Sequence, residues 1–123
     1  MNYRTALLTF FLTASLLGAS PAIALEGPLM KGKTLGLLCN SAKQDDQFSC
    51  QSYIAGIIDY HNLIKSLGSA PSVDFCIPQA ATMSQLKSVV TTYIAAHSEH
   101  QDFIAAPGVA MGLYNAYPCK KRS

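Results

Sequence analysis

Apolar residues recur along this chain with a helical period. Cys50, Tyr53, Ile54, Ile57, Ile58, His61 and Ile64 fall at i, i+3, i+4, i+7, i+8, i+11 and i+14. That stripe predicts one long helix from about Phe48 to Ser66, ended by Gly68. Asp45 or Asp46 can cap its start, with negative charge at the positive end of the helix dipole. Upstream, Leu29, Met30, Leu35, Leu37 and Leu38 predict a helix from about Pro28 to Cys39. Gly32 and Gly36 weaken it, since each costs about 1 kcal/mol against alanine. Asn40 to Gln47 is polar and reads as a loop. A third helix starts at Thr82, where Thr82 and Gln85 match a capping box. Its buried stripe is Leu86, Val89, Val90, Tyr93, Ile94 and His97. Ser98 and Gln101 repeat the box and predict a fourth helix carrying Phe103, Ile104, Val109, Met111, Leu113, Tyr114 and Tyr117. Pro107 should kink or break it, and Pro118 stops it. Leu67 to Ala81 is the longest connection, and no alternating run is long enough to predict a strand. The pattern is that of a small all-α, four-helix, up-down bundle.

The N-terminus follows a different logic. Arg4 precedes an apolar run, Ala6 to Leu17, of about 12 residues, where a bilayer-spanning helix needs roughly 20. Gly18, Ser20 and Pro21 follow, and Ala22-Ile23-Ala24 supplies the small residues of a signal peptidase site. The expectation is a signal peptide over residues 1–24 and a single helical domain over 25–123, exported and with no membrane anchor. No cysteine follows the apolar run, which argues against an acyl anchor. The 50% apolar content of the chain therefore overstates that of the exported domain.

About 99 residues can bury one core, but only a marginal one. All four cysteines (Cys39, Cys50, Cys76 and Cys119) lie in this part, and an even count in an exported chain reads as two disulfides. Short connections make consecutive helices antiparallel. Cys39 and Cys50 then share one end of the bundle, and Cys76 and Cys119 the other. Disulfides need Cα atoms within about 7 Å, so Cys39–Cys50 and Cys76–Cys119 are the predicted pairs; a long connection that folds back down permits another pairing. Chain entropy assigns them roughly 3 and 4 kcal/mol.

Candidate chemistry changes this picture little. His61 sits on the apolar stripe and reads as a hydrogen-bonded, partly buried residue. His97 and His100 straddle a helix boundary and need not share a face. A zinc site needs three or four converging ligands, disulfides consume the thiols, and no CxxC pair exists, so no metal and no cofactor is expected. No serine stands in an activating context such as GxSxG, and no glycine-rich phosphate loop occurs. Asp59 lies off the stripe and reads as a solvated charge, as does Tyr60 as an exposed aromatic. A nonenzymatic protein is expected. The formal net charge is +2, and the basic residues are scattered except for Lys120-Lys121-Arg122, a solvated terminus. No nucleic-acid partner is indicated.

Several segments together carry a resemblance. They are Cys39; Cys50-Gln51-Ser52-Tyr53-Ile54-Ala55-Gly56-Ile57-Ile58-Asp59; Phe75-Cys76-Ile77-Pro78; Gln85-Leu86; Val89-Val90; Tyr93-Ile94; His97; and Tyr117-Pro118-Cys119. In this order and spacing the chain resembles the Tai/Rap family of immunity proteins, found beside type VI secretion effectors. The family's His-Pro is His97-Ser98 here, its Phe-Pro-Cys is Tyr117-Pro118-Cys119, and Pro107 interrupts a helix expected to be continuous. The resemblance implies a periplasmic helical protein, often a homodimer. Such a protein binds a secreted cell-wall hydrolase, a peptidoglycan amidase toxin, and blocks its catalytic cleft. The segment from Ser66 to Asp74, with Ser66, Leu67, Ser69, Ser72 and Asp74, is the candidate partner-binding loop, because it is long, rich in small residues and tied down at Cys76. A passive loop is the competing reading. A periplasmic stress chaperone and a small-ligand-binding helical protein remain alternatives; few carboxylates are available for the acid response of the first, and nothing marks a cavity for the second.

Overall fold

The computed structural model describes residues 29–120. The expected signal peptide, and the tail beyond Lys120, lie outside the described residues. Four helices follow one another: α1 (Gly32–Asn40), α2 (Gln44–Ser66), α3 (Met83–Ala96) and α4 (Ala105–Ala116), with a single 3-10 turn, Ser98–His100, between the last two. The described residues form no strand, only two isolated bridges, Lys31 with Ile104 and Phe75 with Pro118. The fold is the all-α bundle read from the apolar periods. Both disulfides pair as the antiparallel topology requires, Cys39 with Cys50 and Cys76 with Cys119.

The core is built from the predicted stripes. Leu35 of α1, Ile54 of α2, Val90 of α3, and Val109 and Leu113 of α4 are fully buried. The most extensive helix–helix contact is that of α3 with α4. Gly108 and Gly112 line that seam, where an added Cβ would press on Ile94 and Tyr93. Leu29, Leu37, Phe103 and Tyr114, read from sequence as core candidates, are instead exposed.

Three boundaries differ from the sequence reading, each for a physical reason. The loop expected over 40–47 shrinks to Ser41–Lys43, and α2 starts at Gln44 rather than Phe48. The polar side chains that suggested a loop hold this turn together. Ser41 Oγ donates to Asp46 Oδ2 at 2.6 Å, and Gln47 Nε2 donates to the carbonyls of Cys39 and Ser41. Asp45 and Asp46 lie in the first turn of α2. They act there through the dipole and not as side-chain caps.

The second difference is the start of α1, at Gly32 rather than Pro28. No side chain caps it. Its free backbone donors go to a distant segment: Gly32 N–H to Phe103 O at 3.0 Å and Lys33 N–H to Gln101 O at 2.8 Å. The return bond runs from Ala105 N–H to Met30 O at 2.7 Å.

The third follows from the second. The Ser98–Gln101 box does not form, and α4 begins at Ala105 instead of Ser98. A helix running through from Ser98 would set the Pro107 ring against the carbonyl of Phe103 and lose a backbone bond. With the start at Ala105, Pro107 occupies the first turn, where its missing N–H costs nothing. The carbonyls of Gln101 and Phe103 are then free to receive α1.

Where the signal is local, the sequence reading holds. Gln85 N–H donates to Thr82 Oγ1, and Thr82 N–H donates to Gln85 Oε1 at 2.8 Å, closing the capping box of α3. Gly68, with φ 77°, terminates α2. Its N–H reaches Lys65 O and that of Ser69 reaches Ile64 O, the two bonds of a Schellman ending.

Candidate interaction site

The long connection leaves α2 at Leu67, crosses the end of the bundle and is pinned at residues 74–76. Asp74 is held from two sides. Lys65 Nζ donates to its Oδ1 at 2.8 Å, and His61 Nε2 lies 3.1 Å from the same oxygen. His61 is buried, as its place on the stripe predicts, and its ring stacks on buried Phe75 with centroids 3.8 Å apart. Phe75 bridges to Pro118, Cys76 N–H donates to Tyr117 O at 2.8 Å, and the Cys76–Cys119 disulfide closes the junction. One end of the connection is therefore welded to α2 and to the chain after α4, while residues 67–73 arch over the surface.

Beneath the arch lies an open cleft of about 750 Å³, lined among others by Lys65, Ser69, Pro71, Ser72, Asp74 and Tyr114. Of the partner-binding candidates read from sequence, Ser69, Ser72 and Asp74 share this cleft. Ser66 closes α2, with its hydroxyl donating to Leu63 O at 2.7 Å. Leu67 projects into solvent, 70% exposed. Three contributors were not read from sequence: Lys65, whose role depends on a contact across nine positions, Tyr114, taken as core, and Lys120, taken as part of a solvated terminus. Leu67 also ends a second feature. Tyr60, Leu63 and Leu67 are exposed at spacings of three and four, so they share the outer face of α2. They form an apolar strip on that face. A sign of it was available in sequence, since none of the three belongs to the buried stripe.

This corner offers a metal ion neither thiolates nor an unpaired carboxylate. Asp74 and the sulfurs of Cys76 and Cys119 lie within 4.8 Å of one another. The sulfurs are bonded to each other and are not thiolate ligands, and the Lys65 ammonium occupies the carboxylate. The hydrogen bond from Lys65 holds the Asp74 carboxyl below its usual range; burial pushes the other way, and the neighbouring Lys65 and His61 add smaller downward contributions.

A depressed carboxyl stabilises the fold above its unfolded-state pKa and loses that contribution as pH falls through the folded value. Asp74 is about one-third exposed, so the gain is screened. Asp74→Asn should therefore cost under about 1 kcal/mol at pH 6 in urea unfolding. The gap should begin to narrow below about pH 4 and shrink further as pH falls. A gap that persists unchanged to pH 2.5 would show that the ionised pair contributes nothing.

Among the described residues, no helix is long and apolar enough to cross a membrane. A family model described as Rap1a immunity proteins matches residues 31–119. The match opens at Lys31, which bridges to Ile104, and closes at Cys119, the last sulfur, so it spans all four helices and both disulfides. No curated protein and no solved structure matches the chain.

Proposed function

The chain belongs to the Rap1a immunity protein family, and from that premise we propose that it is a periplasmic immunity protein that binds and blocks a type VI secretion peptidoglycan amidase. The family match over the whole described bundle carries this reading. Residues 1–24 serve as its export signal, and the disulfides suit an oxidising compartment outside the cytoplasm. It acts by occupying a cleft and not by turnover. The arch over residues 66–74, preorganised at its base by Asp74, Phe75 and Cys76, enters the toxin's cleft, because fixing a loop in advance reduces the ordering cost of binding. The working form is a homodimer, a reading supported by the exposed Tyr60 and Leu63 on α2.

The test pairs the protein with a purified type VI secretion peptidoglycan amidase from the same organism. Stoichiometric protein should abolish peptidoglycan cleavage. Leu67→Asp together with Ser69→Arg should weaken inhibition by at least roughly 30-fold, the loss of a 2 kcal/mol contact. Both positions are exposed, so the unfolding midpoint should stay unchanged. Undiminished cleavage by the amidase at saturating protein would refute the reading. Full inhibition by the double variant would remove the arch from it.

A further inference from the structure

The two disulfides differ sharply in what surrounds their sulfurs. Cys39–Cys50 is sealed in the core, with Cys50 fully buried and Cys39 3% exposed. Cys76 is exposed and Cys119 half-buried, and both line the cleft under the arch. Lys65 Nζ stands 3.8 Å from Cys76 Sγ and 3.7 Å from Cys119 Sγ, steadied by its bond to Asp74. An intact disulfide is neutral, and its sulfurs are weak acceptors, so the ammonium gains little from them. A thiolate at either position would gain a charge-assisted contact.

We propose that Cys76–Cys119 is a thiol–disulfide exchange site, opened by a dithiol reductant, with Lys65 stabilising the departing thiolate. A thiolate of the reductant attacks the sulfur of the more exposed residue, Cys76. A bond forms between the two, the Sγ–Sγ bond breaks, and its electron pair leaves on Cys119 Sγ beside the ammonium. The second thiol of the reductant, once deprotonated, attacks the mixed disulfide and releases Cys76 as a thiolate. The protein bridge gains two electrons and takes two protons from solvent; the dithiol becomes a disulfide and gives up two protons. Exchange is faster at accessible sulfurs and with a better leaving thiolate, and both conditions favour this bridge over the other. The Asp74 carboxylate, within 4.8 Å of both sulfurs, shares the Lys65 ammonium at 2.8 Å, so the thiolate receives only part of that charge and the expected rate effect is modest.

Opening this bridge would remove the covalent tie between the connection after α2 and the chain after α4, while the hydrogen bond from Cys76 N–H to Tyr117 O and the α1–α2 staple remain. The chemistry is read without any toxin, so it stands or falls separately from the immunity reading.

The experiment treats the oxidised protein with dithiothreitol at neutral pH, quenches with an alkylating agent at intervals and maps the modified cysteines. Cys76 and Cys119 should be alkylated at least about tenfold faster than Cys39 and Cys50. Lys65→Met should slow opening of Cys76–Cys119 by about threefold, Lys65→Arg should restore most of the rate, and neither should change Cys39–Cys50. Equal rates for the two bridges, or a Lys65→Met protein that opens as fast as the parent, would overturn the proposal.

Discussion

Replacing Cys76 and Cys119 together by alanine is expected to lower the unfolding free energy by about 4 kcal/mol. The bridge joins positions 43 apart in sequence, against 11 for Cys39–Cys50. In the chain-entropy treatment the longer loop removes more freedom from the unfolded chain. The native junction should survive the substitution, because other bonds hold it. Cys76 N–H still reaches Tyr117 O, Phe75 still stacks on His61, and Lys65 still meets Asp74. The loss therefore falls mainly on the unfolded side. A domain of this size has a total stability of about 5–15 kcal/mol, so the melting temperature should fall by roughly 16–30 °C. Urea unfolding of the double variant beside the parent, without reductant, measures the difference. The urea dependence should also steepen, since an uncrosslinked unfolded chain exposes more surface. A loss below about 1 kcal/mol would mean that the unfolded chain already keeps these two segments together.

What could be read in advance depended on how far each signal reached along the chain. The stripe of α2, the Thr82–Gln85 box and the Gly68 ending are set within one or two turns, and the structure contains all of them. The disulfide pairing followed from helix order alone. The misread boundaries share one cause. Gln47 looked like loop but spends its amide on the carbonyls that end α1. Gln101 looked like a helix start but gives its carbonyl to Lys33, far away in sequence. Backbone donors at a helix start must be satisfied, and no local pattern shows that a remote segment will do it.

The candidate interaction site divides in the same way. Its length, small residues and cysteine anchor were visible in composition. The grip of Lys65 and His61 on Asp74 was not, since Lys65 lies off the buried stripe and Asp74 in an irregular connection. Tyr114 shows the converse error. An aromatic at helical spacing reads as core, yet α4 turns it outward into the cleft under the arch.

The docking of α1 on the chain before α4 yields the other large expected effect. Gly32→Ala should cost about 3 kcal/mol. Glycine is required at position 32 for space and not for an unusual backbone angle, since the only glycine with positive φ among the described residues is Gly68. A Cβ on residue 32 would overlap the carbonyl oxygen of His100, lie 3.0 Å from its carbon and 3.2 Å from Ile94 Cγ2. The obstacle is backbone, so no side-chain rotation relieves it, and α1 would have to withdraw. Withdrawal stretches the bonds from Gly32 to Phe103 and from Lys33 to Gln101, each a contribution of about 1 kcal/mol. It also loosens the packing of Leu35, three residues on and fully buried. Gly56 provides the control. It lies in the middle of α2 with open space where a Cβ would go, so Gly56→Ala should raise stability by up to about 1 kcal/mol through helix propensity alone. Denaturant unfolding of the two variants should therefore move in opposite directions. If Gly32→Ala proved as harmless as Gly56→Ala, the α1 start would not be fixed by its contact with His100, and the account of why α4 begins at Ala105 would fail with it.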